Sequence, residues 1–206
     1  MPGLRVRYGA IKQRAEALRE QFGCDSPPVD VGKVLSSVAN VHFGPSTDGT
    51  DGWTMAKPDC RKFEVYINAH KPRDRRRWTM AHELGHIVMG HFDVPECGRT
   101  YDEWKEREAN TFAEELLIPW VFVKGKGYRS LGDMHRRFQV SVEACAWRLR
   151  QLNDMCPGRP GAWLGIDESA AHRLLRICDV VVNYEGGARL AAAIESGLSS
   201  PADGSY

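Results

Sequence analysis

The segment Arg76–Phe92, RRWTMAHELGHIVMGHF, places His82, His86 and His91 close together, with Glu83 directly after the first. On an α-helix each residue advances about 100°, so positions four apart sit only about 40° from one another. His82 and His86 therefore point the same way, one turn apart, and can share a metal ion. Glu83 lies on the rim of that face, near enough to address a water at the metal but angled away from direct ligation. This is the HExxH arrangement, in which two histidines bind zinc and the glutamate is the general base. Five letters recur by chance in unrelated chains, so the context has to carry the argument. The apolar helix follows a strand, and a second helix lies downstream to supply a further ligand.

His91 is five residues beyond His86, about 140° further round if the helix continues. The longer pattern HExxHxxGxxH is not met, because Met89 and Phe92 stand where Gly and His would be. Gly90 is expected to end the helix, leaving His91 just outside it as a capping or partly exposed residue.

A catalytic zinc wants three protein ligands and one open position. Glu103, Glu106, Glu108, Glu114 and Glu115 compete for the third place. Ala109, Phe112, Ala113, Leu116 and Leu117 form an apolar i, i+3, i+4, i+7, i+8 stripe. Relative to Ala109, that stripe centres near about 10° and Glu106 falls at about 60°, inside it. Glu108 and Glu115 fall at about 260° and 240°, on its far edge, and Glu114 at about 140°, pointing outward. A carboxylate on a buried stripe needs a partner, and a metal would provide one. Glu106 is the chosen ligand and Glu108 the second choice. Asn110, one turn after Glu106 on nearly the same side, is placed to hydrogen-bond a metal ligand.

The elements that must hold these groups can be read in outline. Tyr8–Phe22 has Ile11, Ala15, Leu18 and Phe22 at helical spacing, stopped by Gly23. A Pro-Pro turn precedes a short helix carrying Val31, Val34, Leu35 and Val38, and VHF starts a strand. WTMA and KFEVYIN read as strands, the second with Phe63, Val65 and Ile67 alternating with Glu64, Tyr66 and Asn68. KFEVYIN is the candidate edge strand for an extended peptide. The basic run Lys71–Arg77 reads as a solvated turn. LGDMHRRFQVSVEACAWRLRQLN reads as two helices broken at Gln139–Ser141. AAHRLLRICDVVVNYEGG reads as a helix and a strand, and the end as a loose tail.

The expected fold class is α+β and zincin-like: a small mixed sheet, an HExxH helix and a second ligand-bearing helix. Expected domains are a metallopeptidase domain over 1–122, a helix-turn-helix-like region over 123–156 packed on it, and an extension over 157–206. The chain has 206 residues and a net charge of +1, too small for an overall electrostatic claim on nucleic acid or membrane. No apolar run of membrane-spanning length is present. The charged amphipathic start lacks the apolar core of a signal peptide. Six cysteines without a CxxC pair suit reduced thiols, so a cytoplasmic location is expected.

RRRWTMAHELGHIVMGH followed by EREANTFAEELLIP resembles the ImmA/IrrE family of bacterial metallopeptidases. The family pattern is an Arg-rich lead into AHELGH, then E-x-x-A-N-x-F-A-x-x-L-L-x-P, and both halves are present. PPVDVGKVL, FEVYIN and FQVSVEACAWRL add to the likeness, which runs from about Tyr8 to Leu152. The resemblance implies a zinc ion held by His82, His86 and Glu106, with Glu83 as catalytic base. It implies cleavage of one protein, a helix-turn-helix repressor of the xenobiotic-response-element type, in phage, mobile-element or stress regulation. His70, Tyr66, Tyr101 and His91 are the candidates for stabilising the oxyanion. The tail beyond about Pro157 matches nothing in the family pattern. A rival reading takes residues 129–152, with Arg136, Arg137, Arg148 and Arg150, as a DNA-binding or protein-binding helical pair, with the peptidase site inactive.

Overall fold

The computed structural model describes residues 6–56, 62–92, 102–183 and 187–196, and the chain divides into two compact units, one ending at Leu117 and one starting at Ile118. Residues 123–156 share a unit with the C-terminal helices.

The first unit begins with helix α1 (Tyr8–Gln21) and helix α2 (Val31–Val38). Asp30 caps α2 by accepting from the Lys33 backbone N–H at 3.0 Å, satisfying a donor that the helix itself leaves open. Strands β1 (Ala39–Gly44), β2 (Gly52–Met55) and β3 (Phe63–Asn68) form a three-stranded sheet in the order β1-β3-β2. β1 runs parallel to β3, pairing Val41 with Val65, and β2 runs antiparallel, pairing Thr54 with Val65. KFEVYIN is therefore the central strand, not an edge. It pairs on both sides, whereas among the described residues β2 pairs with β3 alone.

Alternation sorts the sheet into two faces. Val65 and Ile67 are buried on the inner face, toward α3 (Arg73–Met89). The outer face carries a row of rings across the strands. Tyr66 stacks on His42 with centroids 4.7 Å apart and on Trp53 at 4.2 Å. Beside it, Glu64 takes hydrogen bonds from Asn40 at 2.9 Å and from His42 at 2.6 Å.

The basic run expected as a turn lies largely inside the first turns of α3. Arg77 is buried and donates to the Val29 carbonyl at 2.9 Å, while Lys71 and Arg75 both pair with Asp51. At the other end Gly90 adopts the left-handed conformation, φ 72°, and closes α3 as expected. The last carbonyls of α3 meet arginines from the start of the chain: Arg7 donates to Met89 O at 2.9 Å and Arg14 to Val88 O.

Helix α4 (Glu103–Leu117) packs on both α3 and α1. Its stripe of Ala109, Phe112, Ala113, Leu116 and Leu117 is completely buried, each large side chain contributing about 2 kcal/mol of transfer free energy. Gly85 permits the close approach of α3 and α4. A methyl group there would lie 3.0 Å from Ala109 Cα and 3.2 Å from Phe112 Cβ.

The second unit is helical throughout its described residues: α5 (Trp120–Val123), α6 (Leu131–Phe138), α7 (Val142–Met155), α8 (Pro160–Leu164), α9 (Glu168–Asn183) and α10 (Gly187–Glu195). Ser130 and Ser141 cap α6 and α7, and Gln139 in the left-handed region, φ 54°, makes the break between them. Of the stretch 170–187 expected to hold a helix and a strand, the residues up to Asn183 are all part of α9, and 184–186 lie outside the described residues. Val180 is exposed on α9, whereas Ala171, Leu174, Cys178 and Val181 form a helical stripe that α7 covers. Molecule-wide, the architecture is mixed α and β with helix dominant. No described helix is long and apolar enough to cross a membrane.

Candidate metal centre

α3 and α4 bring three predicted residues to one point. His82 Nε2 lies 3.0 Å from His86 Nε2 and 3.2 Å from Glu106 Oε2, and His86 Nε2 lies 3.5 Å from Glu106 Oε1. One ligand atom from each falls within 4.8 Å of the other two. A tetrahedral zinc with bond lengths of about 2.0–2.1 Å has ligand atoms about 3.3 Å apart. The two imidazoles and one carboxylate fit that spacing, and they are a donor set that zinc accepts. His86 is fully buried. His82 and Glu106 are partly exposed, so one side of the cluster faces a cleft of about 450 Å³ that Gly52, Trp78 and Thr79 help to line.

Glu83 lines the same cleft and is 2% exposed. Its Oε2 accepts a 2.8 Å hydrogen bond from Thr54 Oγ1, on the edge strand β2. The sequence reading passed over Thr54. Its only signal was a polar residue at an inward position of WTMA, opposite the buried Val65. At the lip, Asp51 is held below the usual carboxylate range; burial opposes its charge, but hydrogen bonds from Lys71 and Arg75 outweigh it.

Asn110 Oδ1 stands 2.9 Å from His82 Nδ1, so His82 is held from its far side while Nε2 faces the cluster. His86 is held differently. Its Nδ1 lies 2.8 Å from His91 Nδ1, and His91 Nε2 lies 2.9 Å from Glu108 Oε2. His91 is 1% exposed, in contrast to the cap or partly exposed residue expected. The ring folds back beneath α3 because Gly90 reverses the chain, and Trp104 packs edge-on against it at 5.5 Å.

Glu108, placed by the helical wheel on the far edge of the stripe, is completely buried. It accepts from the Arg7 backbone N–H at 2.7 Å and from the Arg7 guanidinium at 2.6 Å. Burial works against its charge, but the bonds from Arg7 and His91 prevail and lower the carboxyl to about 2. Burial also depresses His91 below the ordinary imidazole range, against the pull of Glu108. Glu106 faces the two histidines and Glu108 faces away from them, toward Arg7.

Residues 50–150 match peptidase family M78, described as the IrrE N-terminal-like domain. This stretch is similar to the ImmA/IrrE peptidase family. The chain is 24% identical over 173 residues to the radiation response metalloprotease IrrE of Deinococcus radiodurans, covering 73% of this chain and 51% of that protein. The chain thus spans about half the length of the curated relative it matches. Among solved structures it is similar to a Mycobacterium tuberculosis transcriptional regulator, with 19% identity and a TM-score of 0.37 over 71% of this chain and 42% of that one.

Within this chain the oxyanion candidates fare poorly. Tyr66 sits in the ring row, His91 is committed to His86 and Glu108, and His70 is not among the residues lining the cleft. Tyr101 lies outside the described residues.

Proposed function

We propose that the chain is a zinc-dependent endopeptidase of zincin type, with His82, His86 and Glu106 holding the metal and Glu83 as general base. One observation carries this reading: two imidazole Nε2 atoms and a carboxylate converge at tetrahedral spacing beside a buried glutamate, in one cleft. When bound, the metal supplies Lewis-acid polarisation of the scissile carbonyl and of a water.

The chain's own residues perform the remaining work. Thr54 fixes one oxygen of Glu83, so the carboxylate presents a defined face to the cleft. Glu83 accepts the proton of the attacking water and returns it to the leaving amine. Asn110 and His91 hold the two imidazoles in orientation. Among the described residues β2, which carries Gly52 and Thr54, pairs with β3 alone, and its other edge runs beside Glu83. An extended peptide pairing there would pass the general base.

The substrate class in this proposal is a helix-turn-helix repressor, which the family resemblance suggests. The rival DNA-binding use of α6 and α7 has less support. Arg148 is 2% exposed and donates to the Ile118 carbonyl at 2.9 Å, and Arg150 pairs with Asp179 at 3.1 Å. Arg136 pairs with Asp133 at 2.7 Å, so at least three of its four arginines are engaged within the unit.

The test is elemental analysis of the purified full chain beside Glu106→Ala, followed by incubation of wild type and Glu83→Gln with a candidate repressor. About one zinc per chain, lost in Glu106→Ala, with a discrete cut made by wild type alone, is the expected result. A metal-free wild type defeats the proposal.

A further inference from the structure

Four residues form an unbroken chain of hydrogen bonds leading away from the cluster. His86 Nδ1 meets His91 Nδ1 at 2.8 Å, His91 Nε2 meets Glu108 Oε2 at 2.9 Å, and Glu108 is gripped by the backbone and side chain of Arg7. Both rings and the carboxylate are essentially without solvent exposure. The chain spans three separate parts of the sequence: Arg7 ahead of α1, α3 with His91 just past its cap, and α4.

The direction of these bonds can be deduced. An ionised carboxylate only accepts, so His91 Nε2 carries the hydrogen toward Glu108. A neutral imidazole with its hydrogen on Nε2 has a lone pair on Nδ1. His86 Nδ1 must then be the donor across the 2.8 Å contact, which leaves His86 Nε2 with a bare lone pair facing His82 and Glu106. The opposite tautomer of His86 would set two lone pairs against each other at Nδ1 and aim a hydrogen into the cluster.

We infer that His91 is a positioning residue of the metal centre, which together with Glu108 and Arg7 fixes the tautomer and ring orientation of His86. The inference rests on the metal-centre reading above. It differs from the arrangement at His82, where one amide oxygen does the corresponding job. Because Arg7 also donates to Met89 O, the anchor that holds Glu108 binds the end of α3 as well. The relay therefore ties the two ligand-bearing helices to the segment preceding α1. Interactions of this kind typically contribute 10- to 100-fold in metal affinity.

The test uses the full chain. Nitrogen-15 shifts of the histidine rings in metal-free wild type report the tautomers directly, and zinc affinity is measured by competition with a chelator for wild type and His91→Phe. The expected result is His86 protonated at Nδ1, His91 protonated at Nε2, and zinc bound about 10- to 100-fold more weakly by His91→Phe. Helical content of the metal-free variant should be unchanged. His86 without a proton on Nδ1 in wild type overturns the inference, and this arm needs no variant to fold. Equal zinc affinity in a folded His91→Phe overturns it too. A wild type with the expected tautomers that takes up no zinc removes the metal-centre reading itself, a different failure from either of these.

Discussion

Thr54 Oγ1 donates a 2.8 Å hydrogen bond to Glu83 Oε2, joining the edge strand β2 to the HExxH helix at the residue proposed as general base. The bond is buried, so it is stronger than the same contact in water. Replacing Thr54 by Val keeps the volume and removes the donor. Turnover is expected to fall about tenfold, the equivalent of one hydrogen bond of about 1.4 kcal/mol, with zinc content unchanged. Unaltered turnover would show that the bond does not orient the base.

Glu83→Gln should retain zinc, because Glu83 is not among the three converging ligand residues. Loss of the general base should lower the cleavage rate by about 10²- to 10⁴-fold. The comparison needs both metal content and rate, since a variant that drops its metal would be inactive for another reason.

Glu106→Ala and Glu108→Ala, two residues apart, should fail in different ways. The first should lose metal with little change in metal-free stability. The second leaves His91 and the inner side of Arg7 without their shared carboxylate, and is expected to cost about 3 kcal/mol of folding stability. Denaturant melts of the metal-free proteins, beside elemental analysis, separate the two cases. Equal melts with equal metal loss would contradict the assignment.

Gly85→Ala should push α4 away from α3, because the new methyl would lie 3.0 Å from Ala109 Cα and 3.1 Å from its carbonyl oxygen. Overpacking of this kind costs about 1–3 kcal/mol. Glu106 moves with α4, so zinc affinity should fall together with the melting temperature. A stability loss with intact affinity would indicate that the strain relaxes away from the site.

Asp48 provides a check on pH. The Ser46 hydroxyl first, then the Thr50 backbone and hydroxyl, lower its carboxyl from 3.8 to about 2. Because the folded value lies below the unfolded one, the stability it contributes is present above about pH 3.8 and is lost as pH falls toward 2. Carboxyl NMR should place its midpoint near 2, and Ser46→Ala should raise it. A midpoint near 3.8 in wild type would show that the turn does not form in solution.

What the sequence determined is what a single helix axis can encode. His82 and His86 share a face because four residues are close to one turn, and Gly90 ends α3 because only glycine adopts that backbone cheaply. The buried stripe of α4 follows from the same periodicity. Choosing between Glu106 and Glu108 by the wheel reached the residue that faces the histidines, but it misjudged the other carboxylate. A wheel reports angles about one axis and says nothing of what stands opposite. The partner of Glu108 is Arg7, 101 residues earlier, delivered by the packing of α1 on α4. Likewise the burial of His91 depends on the reversal at Gly90 and on Trp104, and the central place of β3 depends on strands that pair on both of its sides. Local spacing selected the chemistry-bearing residues. Which of them meet, and which carboxylate is left to hold a histidine, depended on contacts between segments far apart in the chain, which only the tertiary structure supplies.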